Sequence, residues 1–212
     1  MPTNDDFTFE ISLSILNHLG RNLYRSFTTV LGEAISNSWD ADAENVWVYV
    51  DRDSDSFFIK DDGHGMTGED YQSKFLKIGY SKRRDGINRS TKGRPFIGRK
   101  GIGKLALLSC AERVSVISKT DSSANYVGGV IDNSRLDQAI GDDLGVRDYL
   151  LEDWSRPAFD DHIENHDHGT MIYFENINDG IRNSIEFLEK IIALYFRFTL
   201  HDASFSIYLR NL

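Results

Sequence analysis

The first residues whose types and spacing suit chemistry are Glu33, Asn37 and Asp40. Because they are four and three positions apart, they share one face of a helix predicted over residues 26–41, beside its apolar stripe. A glutamate at such a boundary can act as general base toward a water that attacks a phosphate. An asparagine oxygen suits Mg²⁺, a hard cation that keeps several of its waters. A solvated helix face without chemistry is the alternative that these spacings leave open.

The second group is the run DDGHGM at residues 61–66. A carboxylate at a strand end, followed by alternate glycines, lets the backbone approach a flat ligand closely. Asp61 could there accept a hydrogen bond from an exocyclic amine such as that of adenine. A plain turn or a calcium-binding loop is the alternative. An EF-hand needs a glutamate at its twelfth position, which counted from Asp61 is Gln72, so that version is discounted.

The third group is the run GRKGIGK at residues 98–104, which opens a predicted helix. Backbone N–H groups at a glycine-rich helix start bind phosphate, and Lys104 adds a point charge. The run is not a Walker A loop, because its spacing differs and neither serine nor threonine follows the lysine. It is not a dinucleotide fingerprint either, because its glycines come in the opposite order.

In this order the three runs resemble the GHKL ATPase superfamily of gyrase, the large heat-shock chaperone, histidine kinases and MutL. LGEAISNSWDADAENV is similar to the first motif, DDGHGM to the adenine-binding motif and GRKGIGK to the glycine motif of the lid. Gly169 and Thr170 before a strand are similar to the fourth. The resemblance covers residues 11–174 and is closest to MORC-like and prokaryotic relatives. Histidine kinases fit less well, because their catalytic domains generally lack a water-activating glutamate.

The resemblance implies a role for each matching position. Glu33 would activate the hydrolytic water, Asn37 would ligate Mg²⁺, Asp61 would recognise the adenine amine and Thr170 would help to hold adenine through water. Asp40 belongs to the same expected nucleotide site. The remaining positions fall into a base pocket and a phosphate-binding run, and they are Gly63, Gly65, Met66, Gly98, Gly101, Ile102, Gly103 and Lys104.

The composition is that of a globular domain with an uneven charge. The chain has 212 residues with 40% apolar and 27% charged, values ordinary for one globular domain. The net charge is −9, yet residues 68–104 carry eleven basic and three acidic residues. A basic island suits a polyanionic ligand such as a triphosphate, and the resemblance makes residues 68–103 an ATP lid. Nucleic acid is a further candidate ligand, and a solvated loop is the alternative.

Several bulk features predict a cytoplasmic protein. The single cysteine, Cys110, excludes an internal disulfide. The first residues lack the pattern of a signal peptide, and no run approaches the roughly 20 apolar residues of a membrane span.

Periodicity predicts an α+β domain with helices over one face of a mostly antiparallel sheet. The resemblance implies more, namely a two-layer sandwich of the Bergerat type with a mixed sheet and a mobile ATP lid. Helices are predicted over residues 12–23, 26–41, 70–78, 104–110 and 185–196. Strands are predicted over residues 45–50, 57–59, 113–118, 127–131, 170–174 and 204–209, with a mobile loop over 80–95. The weakly patterned residues 136–167 are predicted to form loops and a peripheral strand.

We therefore predict Mg²⁺-dependent ATP hydrolysis, with lid closure and ATP-dependent homodimerisation. An ATP-binding switch with negligible hydrolysis and a protein kinase of the histidine-kinase branch are the alternatives. Gyrase and MutL complete their sites with a lysine from a following domain. We therefore expect this chain to be the N-terminal part of a longer protein, and its ATP hydrolysis to be slow in isolation. His162, His166 and His168 lie among acidic residues. They suggest either a zinc site or, better fitting their spacing, a solvated loop.

Overall fold

The computed structural model describes residues 12–15, 18, 27–80, 87–98, 110–178, 181–197 and 203–212. Their helices are α1 (Phe27–Asp40), α2 (Gly68–Asp70), α3 (Asn133–Gly141), α4 (Asp160–Ile163) and α5 (Ile185–Tyr195). Their strands are β1 (Asn45–Asp51), β2 (Ser56–Asp61), β3 (Ala111–Lys119), β4 (Val127–Asp132), β5 (Gly169–Ile177) and β6 (Ser206–Asn211).

Helix α1 buries the apolar stripe that its sequence predicts. Phe27, Val30, Leu31, Ala34 and Ile35 are all buried, at the i, i+3, i+4 spacing of a core-facing helix. The helix ends where the next residues turn back on it. Asp42 there takes a left-handed conformation, with φ of 60°, which short polar side chains tolerate better than most.

The six strands form one mixed sheet in the order β4-β3-β5-β2-β1-β6. Four of the five pairings among these described strands are antiparallel, and β6 pairs with β1 in parallel. Strands β1 and β2 form the predicted hairpin, with Val48 opposite Ile59. This confirms the predicted fold class, an α+β domain with a mixed, mostly antiparallel sheet.

The main core lies between the sheet and the two longest described helices. Val46, Val48 and Val50 alternate along β1 on the helix side, where they join the buried residues of α1 and α5 in one cluster. The opposite face is covered more thinly. There Phe58 packs with Phe159, which lies in a short 3₁₀ helix, Arg156–Phe159, that leads into α4. The sandwich is therefore thick on one side and thin on the other.

Several local predictions need correction. Residues 136–167 contain most of α3 and all of α4 in addition to the predicted loops, and in place of a strand they form two isolated bridges, Gly145 with Ser12 and Glu152 with Val130. The predicted helix over 70–78 is the short α2 followed by a π-helical turn, Tyr71–Phe75.

Two predicted helices fall largely outside the described residues. Of the helix predicted over 12–23, residues 13–15 and 18 are helical and residue 12 forms a β-bridge, while the others lie outside the described ranges. Residues 104–109 of the helix predicted over 104–110 lie outside them as well. Both helices therefore stay predictions over most of their length.

No helix in the described ranges combines the length and the apolar character needed to cross a membrane.

Candidate functional site

The centre of the candidate site is Asp61, the last residue of β2. Its side chain is 6% exposed and receives three hydrogen bonds. Oδ1 accepts from the backbone N–H groups of Gly63 (2.9 Å) and Thr170 (3.2 Å), and Oδ2 accepts from the Ser38 hydroxyl (2.8 Å). A carboxylate offers about four acceptor positions. Among the donors of the described residues, Oδ2 thus has one partner and retains room for a second.

Burial raises the pKa of Asp61 above its ordinary value, although the hydrogen bonds from Gly63, Ser38 and Thr170 oppose the shift. A buried carboxylate without a cation partner is unfavourable unless donors surround it. The fold therefore maintains a costly acceptor at this position, as sites that recognise a donor on a ligand do.

The neighbouring Asp62 binds different partners from Asp61, although the two carboxylates are adjacent in sequence. Its Oδ1 accepts from the backbone N–H groups of Glu44 (2.7 Å) and Asn45 (2.8 Å), and its Oδ2 accepts from the Asn45 amide side chain (2.7 Å). Asp62 therefore fixes the start of β1. Of the two carboxylates, only Asp61 is directed toward α1 and β5.

Two glycines are required for the backbone to close around Asp61. Gly65 has φ of +66°, and a Cβ there would lie 1.9 Å from the Lys119 carbonyl oxygen. Gly169 has φ of +126°, and a Cβ there would lie 1.9 Å from the Asp61 carbonyl oxygen. Any other residue at either position would push the loop at 61–66 away from β3 or β5.

A chain of hydroxyl groups joins the loop to β3 and β5. Ser118, fully buried in β3, donates to the Gly169 carbonyl (2.9 Å). It accepts from the Met66 backbone N–H (3.0 Å) and lies 2.9 Å from the Thr170 hydroxyl. These bonds hold Met66 and Thr170, both predicted site residues, on either side of one serine.

Two histidines bind the main-chain carbonyls of the same loop. His166 Nε2 lies 2.7 Å from the Asp61 carbonyl oxygen, and His168 Nδ1 lies 2.7 Å from that of Gly63. Because a carbonyl oxygen only accepts, these contacts assign the proton to Nε2 of His166 and to Nδ1 of His168. Burial lowers the pKa of His166 to about 4, which keeps the ring neutral. The Tyr126 hydroxyl, 2.8 Å from its Nδ1, completes its partners.

Helix α1 carries Glu33 and Asn37, both half-buried, one turn apart on the face predicted from their spacing. Ser38, beside Asn37, reaches Asp61, so this face of α1 adjoins the loop at 61–66. The helix that carries these two predicted site residues therefore contacts the buried carboxylate through Ser38.

Asp40, at the end of α1, is buried and has a structural task. Its Oδ1 accepts from the Ile97 N–H (2.8 Å) and its Oδ2 from the Gly98 N–H (3.1 Å). Asp40 therefore anchors the segment that leads into the glycine-rich run.

Residues 87–98, one of the two described parts of the predicted lid, are tied to the end of α1. Arg94 is 6% exposed, donates to the carbonyls of Ala43 and Ser204, and stacks 4.6 Å from the centre of the Trp39 ring. Trp39 in turn donates to the Pro95 carbonyl (3.0 Å). Residues 87–98, called the lid base from here on, form a hairpin that the antiparallel bridge between Arg89 and Pro95 closes. The predicted mobility of the lid stays a prediction, because residues 81–86 and 99–103 lie outside the described residues.

The sequence-predicted residues thus fall into three sets. One set lies together around the loop at 61–66, namely Asp61, Gly63, Gly65, Met66 and Thr170. A second lies along α1 and its contact with the lid base, namely Glu33, Asn37, Asp40 and Gly98. A third lies outside the described residues, namely Gly101, Ile102, Gly103 and Lys104.

Sequence reasoning missed the polar residues that hold the site, above all Ser38, Ser118 and His166. A usable signal existed for Ser38, because it falls on the apolar stripe of α1 four residues after Ala34, where a polar side chain needs a buried partner. Ser118 lies in a strand whose buried positions are mostly apolar, which is a similar signal. Nothing in the sequence identified the partner of His166, which is a main-chain atom 105 residues away.

The three histidines of residues 162–168 do not form a zinc site. No cluster of three or more metal-ligating side chains occurs in the described ranges. The solvated loop is also wrong for all three. His166 binds the Asp61 carbonyl, His168 binds the Gly63 carbonyl, and His162 stacks on Phe58 at 3.8 Å between ring centres.

Comparison with known proteins gives one sequence-family match. The family profile described as histidine kinase-, DNA gyrase B- and HSP90-like ATPase matches residues 24–170. This range contains α1, the loop at 61–66, the residues of the predicted lid and Thr170.

Three curated proteins are similar to the chain. HgiDII of Herpetosiphon aurantiacus, a candidate type II restriction enzyme, is 32% identical over 99% of this chain. The B component of the type 2 DNA topoisomerase 6 of Methanococcoides burtonii is 30% identical over 71%, and chaperone protein HtpG of Shouchella clausii is 24% identical over 74%. The chain spans 32%, 23% and 26% of these three relatives.

Proposed function

Because the chain belongs to the family of histidine kinase-, DNA gyrase B- and HSP90-like ATPases, a family whose membership implies ATP binding, we propose that it binds ATP with Mg²⁺ and hydrolyses it to ADP and phosphate. The observation that carries the proposal is the buried Asp61 carboxylate, which three donors hold in place while Oδ2 retains an acceptor position. The exocyclic amine of adenine is a donor that matches this position.

The remaining roles follow from α1. Glu33 would orient and deprotonate the water that attacks the γ-phosphate, a role supported by its half-buried position on the helix whose Ser38 binds Asp61. Asn37 would supply an oxygen to Mg²⁺, which needs few protein ligands. The bound metal would neutralise phosphate charge. The half-buried position of Asn37, one turn from Glu33, fits a hard oxygen ligand.

Base recognition is tested by Asp61→Asn, with Asp62→Asn as its matched control. The oxygen of the introduced amide can still accept from Gly63 and Thr170, while its nitrogen faces Ser38, whose hydroxyl can also accept, so the fold is expected to tolerate the change. The second amide hydrogen would then face the adenine amine, donor against donor. We expect ATP affinity, measured by calorimetry, to fall by at least about tenfold in Asp61→Asn and to stay near wild type in Asp62→Asn. Equal affinities in both variants would remove Asp61 from base recognition.

Hydrolysis is tested separately by Glu33→Gln, which removes the base and keeps the size of the side chain. Phosphate release should fall by about 10²-fold or more, while the affinity for ATP changes little. The control is Glu44→Gln, at an exposed acid that pairs with Lys92. Undiminished release in Glu33→Gln would leave the chain an ATP-binding module whose turnover, if any, uses another group.

We further propose that the ATPase cycle drives lid closure and homodimerisation, and that it serves a protein that acts on DNA. Two of the three relatives bear names of DNA-acting enzymes. Light scattering with a non-hydrolysable ATP analogue should show a doubled mass if ATP drives dimerisation. Duplex DNA should raise the rate of phosphate release if DNA is the substrate of the larger assembly, and an unchanged rate would speak against it.

A further inference from the structure

We propose that His166 and His168 are positioning residues for base selection, which set the loop at 61–66 through its main-chain carbonyls and so determine how strongly the site prefers adenine to guanine. The proposal rests on the proposed function and deepens it, since neither histidine belongs to the motifs from which the site was predicted.

The contact of His166 occurs where the pairing of β2 with β5 stops. The two strands pair from Phe57 and Phe174 as far as Lys60 and Met171, and the next residue of β2 is Asp61. Beyond this point the Asp61 carbonyl takes its hydrogen bond from His166 Nε2 (2.7 Å) rather than from the backbone of β5. The Thr170 N–H donates to the Asp61 carboxylate instead (3.2 Å). His166 thus satisfies the carbonyl with a side chain and leaves a backbone donor for the carboxylate.

Loss of the imidazole would bring the two acceptors into competition. A buried carbonyl without a donor is costly, so the Asp61 carbonyl would compete with the Asp61 carboxylate for the Thr170 N–H. The carboxylate would then lose one of the three hydrogen bonds that fix its direction. Because base selection depends on the direction of one acceptor, a small rotation weakens the match to the adenine amine more than it changes the fold.

His168 acts on the same loop two residues later. Its Nδ1 donates to the Gly63 carbonyl (2.7 Å), while the Gly63 N–H donates to Asp61 Oδ1 (2.9 Å). The two rings therefore hold both ends of the Asp61–Gly63 turn. The third histidine of the segment, His162, stacks on Phe58 and touches neither carbonyl, which makes it an internal control.

The experiment uses pairs of variants that remove or restore a single donor. Glutamine places its side-chain N–H close to the position of histidine Nε2, and asparagine close to that of Nδ1. His166→Gln and His168→Asn should therefore keep the wild-type ratio of ATP to GTP affinity within about threefold. His166→Leu and His168→Leu should lower that ratio by about tenfold, mainly through weaker ATP binding. Affinities are measured by calorimetry with non-hydrolysable analogues, on proteins whose circular dichroism and melting curves show that they are folded.

The outcomes separate this inference from the proposed function. If the wild type has no preference for ATP over GTP, the proposed base recognition fails first. If the wild type prefers ATP and the leucine variants keep that preference, the histidines do not position the loop. The same conclusion follows if His162→Leu lowers the ratio as much as they do. If His166→Leu does not fold, the comparison of His168→Asn with His168→Leu tests the inference by itself. His168 is only half-buried, so its replacement disturbs the fold less.

Discussion

At the scale of single residues, the site contains two buried groups whose pKa values move in opposite directions. Asp61 has a raised pKa and His166 a lowered one, and both shifts originate mainly in burial. Each shift makes stability depend on pH, because the folded and unfolded chains bind different numbers of protons. Each therefore yields its own prediction.

Asp61→Asn should be more stable than the wild type near neutral pH. The folded chain binds a proton at Asp61 at higher pH than the unfolded chain does, so the wild type gains stability as the pH falls from the raised pKa toward the ordinary value of 3.8. Asparagine has no such dependence. The stability difference between the two proteins, measured by urea unfolding, should narrow as the pH is lowered. A constant difference from about pH 7 to about pH 4 would contradict a buried, ionised Asp61.

His166 should cause a loss of stability in acid. Its pKa is about 4 in the folded chain against an ordinary value of 6.5, so the folded chain binds fewer protons in this window and stability falls as the pH drops from 6.5 to about 4. The full effect is on the order of 3 kcal/mol. The charged neighbours that modulate it are Lys60, His168 and Asp62. Urea unfolding of His166→Gln should show a flatter pH dependence over this window than the wild type, and equal slopes would contradict the prediction.

At the scale of elements, one buried cation is among the groups that tie the end of α1 to the lid base. Arg94 reaches the carbonyls of Ala43 and Ser204 and lies against the rings of Trp39 and Phe205. Asp42 supports the same hairpin by accepting from the Thr91 hydroxyl (2.6 Å) and the Lys92 N–H (3.1 Å). The proposed lid closure would therefore start from a rigid base rather than from a flexible stem.

Arg94→Met should destabilise the chain by about 2–4 kcal/mol, since it removes the donor to the buried Ala43 carbonyl and the cation–π contacts. Arg94→Lys should recover part of the loss, because lysine keeps the charge without the planar fork. Lys92→Met is the matched control in the same hairpin. Its exposed pair with Glu44 is worth less than about 1 kcal/mol. The midpoints of urea unfolding measure these changes in stability. Similar losses of stability in Arg94→Met and Lys92→Met would show that the buried contacts of Arg94 contribute little.

The sequence predicts best those elements whose side-chain period is strong. Helix α1 and the β1–β2 hairpin match closely, because one face of each is buried and the apolar positions show it. Helix α3 is not predicted because Leu136 and Ala139 are its main buried apolar residues, although Asp132 caps its start by accepting from the Ser134 N–H (2.9 Å). The sequence predicts a mobile loop where the lid hairpin lies, because the partners of that hairpin are distant in sequence.

Of the candidate site, the sequence predicted Asp61 but not the residues that support it. Family resemblance favours Asp61 over Asp62 as the residue that faces the ligand. The structure gives a physical reason for this choice, because the Asp62 carboxylate already accepts hydrogen bonds from the backbone at the start of β1. The supporting histidines were not predictable, because a histidine that binds a carbonyl across the sheet leaves no local pattern. The sequence therefore located the proposed ligand-facing residues better than the residues that orient them.

At the scale of the whole molecule, the two faces of the sheet support different parts of the proposed site. The thick face carries α1, with Glu33 and Asn37, packed against the sheet, and it determines the position of the proposed catalytic groups. The segment from Trp154 to His168 crosses the thin face and ends at the loop at 61–66. Nucleotide chemistry and base selection would thus depend on opposite sides of one sheet, which meet at Asp61.

The parallel pairing of β6 with β1 has a consequence for biosynthesis. Residues 52–205 separate the two strands in sequence. During translation, the edge of β1 that pairs with β6 therefore has no partner strand until residues 206–211 have left the ribosome. An open edge rich in valine and aromatic residues is a template for pairing with other chains. A chain that lacks residues 206–212 should therefore accumulate in inclusion bodies, whereas the intact chain stays in the supernatant. Equal yields of soluble protein would show that nascent β1 is protected in some other way.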